Sequence, residues 1–199
     1  MSRDLLAWLV RFVTGCRGKG AALPSGPVVY YGNHSSHLDA VVIWASIPRP
    51  MRARTRPVAA RDYWAATALR RYWATQLLNA MLIERREVTR ASNPLGPMLA
   101  ALEAGDSLIL FPEGTRSLEG EVGEFQGGLF HIARQRPHTP MVPVYLENLN
   151  RILPKGDLLP LPLIGSALFG PAIFWAEGEP KPTFLERARA ALLELQQTS

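Results

Sequence analysis

Cysteine is nearly absent from this chain. Its 199 residues include one, Cys16, so no internal disulfide can form and a reducing, cytosolic setting is expected. Cys16 also lies in a basic N-terminal stretch with no recognisable partner for a nucleophile. Long apolar runs are missing as well. The stretch from Asp4 to Val13 reads as a short apolar helix, interrupted by Arg11 and far short of the roughly 20 residues that a spanning helix needs. No Ala-x-Ala cleavage site follows it, and Arg11 would break a signal-peptide core. Zinc-ligand spacing, internal repeats and a Gly-x-Ser-x-Gly nucleophile elbow are all lacking. Lysine is scarce: Lys19, Lys155 and Lys181 stand against 19 arginines.

What is present is a globular composition, 47% hydrophobic and 20% charged, in a chain long enough for one α/β domain with a sizeable core. The net charge is +5 and the pI about 9.8. Arginine's planar fork grips two phosphate oxygens at once, so nucleic acid, anionic lipid and a phosphorylated small substrate are all compatible partners. A plain compositional bias toward arginine is equally compatible. Arg49, Arg52, Arg54 and Arg56 alternate as a solvated edge or a phosphate site would.

Short β-prone runs alternate with helical patterns: strands at Val28–Tyr31, Pro57–Ala60, Met81–Arg85, Ser107–Phe111, Met141–Leu146 and about Ala172–Trp175. Between them the pattern predicts helices from Leu38 to Ile47, from Asp62 to about Asn79, from Asn93-Pro94 to Gly105, and from Gly128 to about Arg136. A final helix opens on the Thr183-x-x-Glu186 capping box. Residues 18–26 read as a Gly/Pro linker, and the proline inside Met141–Leu146 argues for an edge strand or an irregular end. The stretch 158–165 is apolar but broken by prolines, suited to covering the core or dipping into lipid. The expected fold is α/β: a single domain with a mostly parallel central sheet flanked by helices and an N-terminal amphipathic helix, with sites at the strands' C-terminal ends.

Two polar turns carry the chemistry. The first, Asn33-His34-Ser35-Ser36-His37-Leu38-Asp39, follows a strand that ends in Gly32. With Ser36 as N-cap, Asp39 would stand at the third helical position of a capping box. Inside one helix a His and an Asp five residues apart would diverge by about 140°. With His34 in the loop and Asp39 in the first turn, the carboxylate can reach back to the imidazole, as for a general base and the acid that fixes its tautomer. A plain cap beside a loop histidine satisfies the same pattern. The second turn, Pro112-Glu113-Gly114-Thr115-Arg116-Ser117, leaves the buried strand Ser107–Phe111. Its carboxylate and guanidinium together suit an anionic polyol, though an ordinary ion pair in a loop would read alike.

These two blocks, in order and about 75 residues apart, resemble the glycerolipid acyltransferase family typified by 1-acylglycerol-3-phosphate acyltransferase. Leu82-Ile83-Glu84-Arg85 looks like that family's second block and Val142-Pro143-Val144 like its fourth, so the resemblance covers about residues 28–146. It implies that His34 takes a proton from an acceptor hydroxyl as that oxygen attacks an acyl thioester, and that Asp39 orients His34. It further implies that Arg85, Glu113, Gly114, Thr115 and Arg116 hold the acceptor's phosphate and backbone. No metal and no cofactor is implied beyond acyl-CoA or acyl-carrier protein as co-substrate. The expected partners are a lysophospholipid, most simply 1-acylglycerol-3-phosphate, and a phospholipid membrane, with no nucleic acid. Residues 1–26 would be a membrane-associating helix and linker, and 27–199 the acyltransferase domain, peripheral or monotopic on the cytoplasmic face. The chain departs from the pattern at Gln126 and Gly127, where many relatives have lysines, and at Glu84, where aspartate is frequent. Glycerol-3-phosphate or another lysolipid as acceptor fits equally. A nucleic-acid-binding module, a metal-dependent hydrolase built on His34, His37 and Asp39, and a lipid-binding relative without turnover are the competing readings.

Overall fold

The computed structural model describes residues 2–36, 38–84, 93–117, 121–147 and 165–198. Seven strands, β1 (Arg17–Gly20), β2 (Val29–Gly32), β3 (Thr55–Ala60), β4 (Met81–Ile83), β5 (Ser107–Leu110), β6 (Met141–Glu147) and β7 (Ser166–Phe169), form one sheet in the order β1-β7-β6-β2-β5-β3-β4. From β6 to β4 every pairing is parallel. β7 runs antiparallel to β6, and β1 runs parallel to β7. The expected mostly parallel sheet in a single α/β domain is what the chain adopts.

Alternation along the central strands divides the core into two. Tyr30, Ile109, Val142, Val144 and Leu146 face a layer built from α1 (Arg3–Thr14) and α2 (Asp39–Ser46), together with one π-helical turn at Trp73–Leu77. Val29, Tyr31, Leu108, Leu110, Met141 and Tyr145 face α6 (Leu95–Glu103), α7 (Gly128–Gln135) and α8 (Lys181–Gln197). Strands buried on both faces read as near-continuous apolar runs, which is why β2, β5 and β6 are plain in the sequence.

Several local expectations are corrected. The supposed linker 18–26 contains β1, whose Arg-Gly-Lys-Gly sequence is exposed throughout and shows no apolar alternation. The long helix from Asp62 is instead three pieces: α4 (Arg61–Trp64), α5 (Ala68–Tyr72) and the π-helical turn. Thr67 breaks it, because its Oγ1 accepts from Arg70 N at 3.2 Å and starts a new helix there. A last strand at 172–175 shrinks to one bridge between Ile173 and Met141, and the final strand is β7. α8 opens at Lys181 behind Pro180, so the Thr183 box lies within it. Pro143 is not at an edge. Its missing N–H falls between the β6–β7 ladder, which starts at Val144, and the Met141–Ile173 bridge, while its carbonyl accepts from Gly170 N at 2.9 Å. A Cβ on Gly170 would come within 2.7 Å of Pro143 Cγ, so glycine is required opposite the proline.

The arginines of the basic turn are committed to structure. In the short α3 (Arg49–Arg52), Arg52 is buried, stacks over Trp44 and donates to Asp4 Oδ1 at 2.7 Å, and Arg49 also meets Asp4. Arg54 and Arg56 both pair with Asp106. The apolar stretch 158–164, together with Arg85 and His37, lies outside the described residues.

Candidate active site

The last residue of β2 must be glycine: a Cβ on Gly32 would lie 2.8 Å from the Val144 carbonyl oxygen. Asn33 then continues the β2–β6 ladder with its side chain, since Nδ2 donates to Leu146 O at 3.0 Å and Oδ1 accepts from Leu146 N at 2.8 Å. The buried amide thus makes two strand-like bonds while releasing its own backbone into the turn.

The turn delivers His34 to Asp39. Nδ1 of His34 lies 2.8 Å from Asp39 Oδ2, and that same oxygen accepts from Ser35 N at 2.7 Å and Ser36 N at 2.8 Å. Asp39 is wholly buried. Three donors converging on one carboxylate oxygen fix the acid, and the acid fixes the Nδ1–H tautomer, leaving Nε2 as the basic nitrogen. Only half of the expected capping box forms. Asp39 reaches back to Ser36 N, but Ser36 Oγ accepts from Leu38 N at 3.2 Å, and Asp39 is the first residue of α2 rather than the third. Phe111 stacks on the imidazole at 4.2 Å between centroids with 15° between planes.

The second turn holds the first by its backbone. Glu113 is buried, and its two carboxylate oxygens are both used: Oε1 accepts from His34 N at 2.9 Å and Oε2 from Gly123 N at 3.0 Å. Ser117 N donates to His34 O at 2.8 Å. His34 is therefore clamped at both its N–H and its carbonyl by residues about 80 positions away. Glu113, expected to accept from a polyol, braces the two turns with both of its oxygens. Gly114 takes φ of 73°, open to glycine at little cost, and its N–H bonds Phe111 O.

His34, Ser35, Gly114, Thr115, Arg116 and Gln126 form the polar end of one cavity of 570 Å³. Its remaining wall is apolar and comes from β3, β4, β5, α4, α6 and α7, including Val58, Tyr63, Trp64, Ile83, Met98, Leu110, Leu129 and Ile132. The volume falls in the range of small-molecule sites. Tyr63 and Trp64 line this cavity, and Trp64 also packs against the core. The sequence reading also passed over the clamps made by Asn33, Ser117 and Gly123; a polar residue immediately after a buried strand was the available signal for Asn33.

Other reactive groups stand apart. Burial pushes the Cys16 thiol up to about 11 against smaller lowering effects of Ser46 and Lys19, which leaves it unsuited to nucleophilic attack. Desolvation, then the charges of Lys181 and Arg134, hold His131 below its ordinary value. A Cβ on Gly127 would lie 2.8 Å from Lys181 Nζ, so α8 supplies a cation beside the position where the family pattern would place a lysine. Among the described residues no three His, Cys, Asp or Glu side chains gather as metal ligands.

A mostly parallel sheet with a His–Asp pair at the C-terminal end of its central strand, the acid buried and the imidazole half-buried, defines the class. The family model described as Acyltransferase matches residues 15–147, and the chain belongs to that family. Among its relatives, 1-acyl-sn-glycerol-3-phosphate acyltransferase alpha of Homo sapiens is 31% identical over 134 residues, 66% of this chain and 44% of that protein. The probable 1-acyl-sn-glycerol-3-phosphate acyltransferase of Mycoplasma genitalium is 27% identical over 122 residues, 61% of this chain and 44% of that one. The chain thus spans less than half the length of these relatives. The crystal structure of the 1-acyl-sn-glycerophosphate acyltransferase PlsC from Thermotoga maritima has the same fold, with a TM-score of 0.70 at 20% identity over 98% of this chain and 81% of that one.

Proposed function

We propose that the protein moves a fatty acyl group from acyl-CoA or acyl-carrier protein to the free hydroxyl of a lysophospholipid, with 1-acylglycerol-3-phosphate as the acceptor and phosphatidic acid as the product. The observation that carries this reading is the position of the His34–Asp39 pair at the polar end of a cavity whose other wall is apolar. His34 Nε2 takes the hydroxyl proton as the acceptor oxygen attacks the thioester carbonyl. The carbon–sulfur bond then breaks, and the leaving thiolate takes that proton back from the imidazolium. Asp39 holds the tautomer and steadies the imidazolium through this exchange. Arg116 grips the acceptor's phosphate, and Gly114 and Thr115 let its glycerol backbone approach closely. Glu113 acts on the substrate only through the backbone of His34. Arg85 is proposed as a second phosphate ligand on the resemblance alone. The apolar wall suits a hydrocarbon chain. No cofactor is required.

The membrane belongs to the same reading. Each buried CH₂ contributes about 0.8 kcal/mol, so a long-chain product stays in the bilayer and the enzyme works at its surface. Among the described residues no helix is long and apolar enough to cross a membrane. α1 exposes Leu5, Trp8, Leu9, Phe12 and Val13, with Trp8 and Phe12 stacked, and would lie in the interface of the cytoplasmic leaflet. Within residues 1–26 the helix makes the membrane contact, and β1 stitches it to the acyltransferase domain. Thiol release from acyl-CoA, measured against lysophosphatidic acid, glycerol-3-phosphate and other lysolipids in micelles, tests the reading. Turnover fastest with lysophosphatidic acid supports it, and no thiol release with any acceptor from either donor overturns it.

A further inference from the structure

The nine large apolar side chains exposed among the described residues are unevenly distributed. Five are on α1 and one is Phe174; the other three, Leu69, Tyr72 and Trp73, are on α5 and the start of the π-helical turn. α5 has no buried residue, and every position from Ala65 to Trp73 is exposed. A five-residue helix has too few internal bonds to be stable alone, and ordinarily an apolar stripe buried on a core holds such a helix. Leu69, Tyr72 and Trp73 form such a stripe, at i, i+3 and i+4. Among the described residues nothing covers it.

Three features identify what covers it. First, Arg70 and Arg71 are exposed within the same helix, and no acidic residue occurs from Tyr63 to Ile83. From Tyr63 on the patch combines apolar and aromatic side chains with basic ones, Asp62 just before it being the nearest acid in sequence on that side, a composition that suits an anionic headgroup layer over acyl chains. Second, the turn that follows packs Ala74 and Leu77 into the same core cluster as Leu6 and Ala7 of α1, so both exposed stripes belong to one layer of the molecule. Third, the Arg70 guanidinium lies 4.5 Å over the ring of Tyr63, and Tyr63 lines the cavity.

We propose that Leu69, Tyr72 and Trp73, with Arg70 and Arg71, form a second docking surface for an anionic lipid bilayer, separate from α1. Through Arg70 and Tyr63 this surface brings the cavity wall to the headgroup layer. The inference rests on the lipid-acyltransferase reading, but its test reads binding and not turnover. Cys16 is buried, so an introduced surface cysteine can be labelled selectively. An environment-sensitive fluorophore is placed at Leu69→Cys in the full chain, with Ala190→Cys on the opposite layer as reference. On adding phosphatidylglycerol vesicles, the probe at 69 shifts to the blue and is quenched by spin-labelled lipid, while the probe at 190 does neither. Phosphatidylcholine vesicles give a smaller shift, and Arg71→Glu weakens binding to phosphatidylglycerol vesicles at least about fivefold. A probe at 69 that stays unmoved while the protein sediments with vesicles overturns the proposal. So does a shift induced by soluble acyl-carrier protein and not by vesicles, or binding indifferent to both lipid charge and Arg71→Glu. Micellar turnover by the labelled protein is measured alongside, so that loss of the lipid surface and loss of the proposed reaction are distinguished.

Discussion

The main-chain N–H of His34 donates to Glu113 Oε1 at 2.9 Å, which ties the strand-end turn carrying the base to a turn 79 residues further along the chain. The other Glu113 oxygen holds Gly123 N. Glu113→Gln keeps the volume but offers one acceptor where two are used, so one of the two main-chain N–H groups loses its partner. A stability loss of about 1–3 kcal/mol is expected in denaturant melts. Displacement of His34 lowers kcat by roughly 10²-fold with a smaller change in KM. A rise in KM with kcat unchanged would mean that Glu113 meets the acceptor directly.

Asp39→Asn removes the charge from the oxygen on which Ser35 N, Ser36 N and His34 Nδ1 converge. The amide can still accept but no longer stabilises an imidazolium, so kcat is expected to fall about 10²–10⁴-fold. An unchanged kcat would reduce Asp39 to a structural cap.

Much of this pair was legible in the sequence. A β-prone run ending in Gly32, a loop histidine and an acid at a helix start allow the pair once His34 is placed outside the helix, although a plain cap would read alike. The buried strands were equally plain, because apolar runs between turn residues have few other uses. β1 was hidden because Arg17-Gly-Lys-Gly buries no side chain and owes its place to pairing with β7. The break in the Asp62–Asn79 helix was hidden because Ala65-Ala66 favour helix and Thr67 acts through a cap. The brace made by Glu113 was hidden because its two backbone N–H partners leave no trace in residue type. Pro143 looked like an edge residue because only the structure reveals the gap in the β6–β7 ladder that accommodates it.

α1 is fastened by charge. Arg52 is buried with its guanidinium on Asp4 Oδ1 at 2.7 Å, whereas Asp4 is about half exposed. Asp4→Ala strands a buried cation, and a loss of roughly 1–3 kcal/mol is expected after allowing for the solvent at Asp4. Hydrogen exchange should speed up selectively in α1 and α3. Uniform protection in the variant would show that α1 is held by apolar packing alone.

The charge of Lys181 helps hold His131 below its ordinary pKa, after desolvation. Lys181→Ala is expected to raise the His131 pKa in an NMR titration without restoring it fully, since burial and Arg134 remain. The sign for stability follows. The unfolded chain binds the proton first, so the contribution of His131 is neutral above its unfolded value and unfavourable as pH falls below it, less so in the variant. A lowered His131 pKa in Lys181→Ala would contradict the assigned cause.

The account turns on His34 as the proton acceptor. The most direct test is the initial rate of CoA release from acyl-CoA with lysophosphatidic acid, comparing the native chain with His34→Ala at matched folding and vesicle binding. A fall of at least about 10²-fold with donor and acceptor affinity retained is expected. Equal turnover by the two proteins would contradict it.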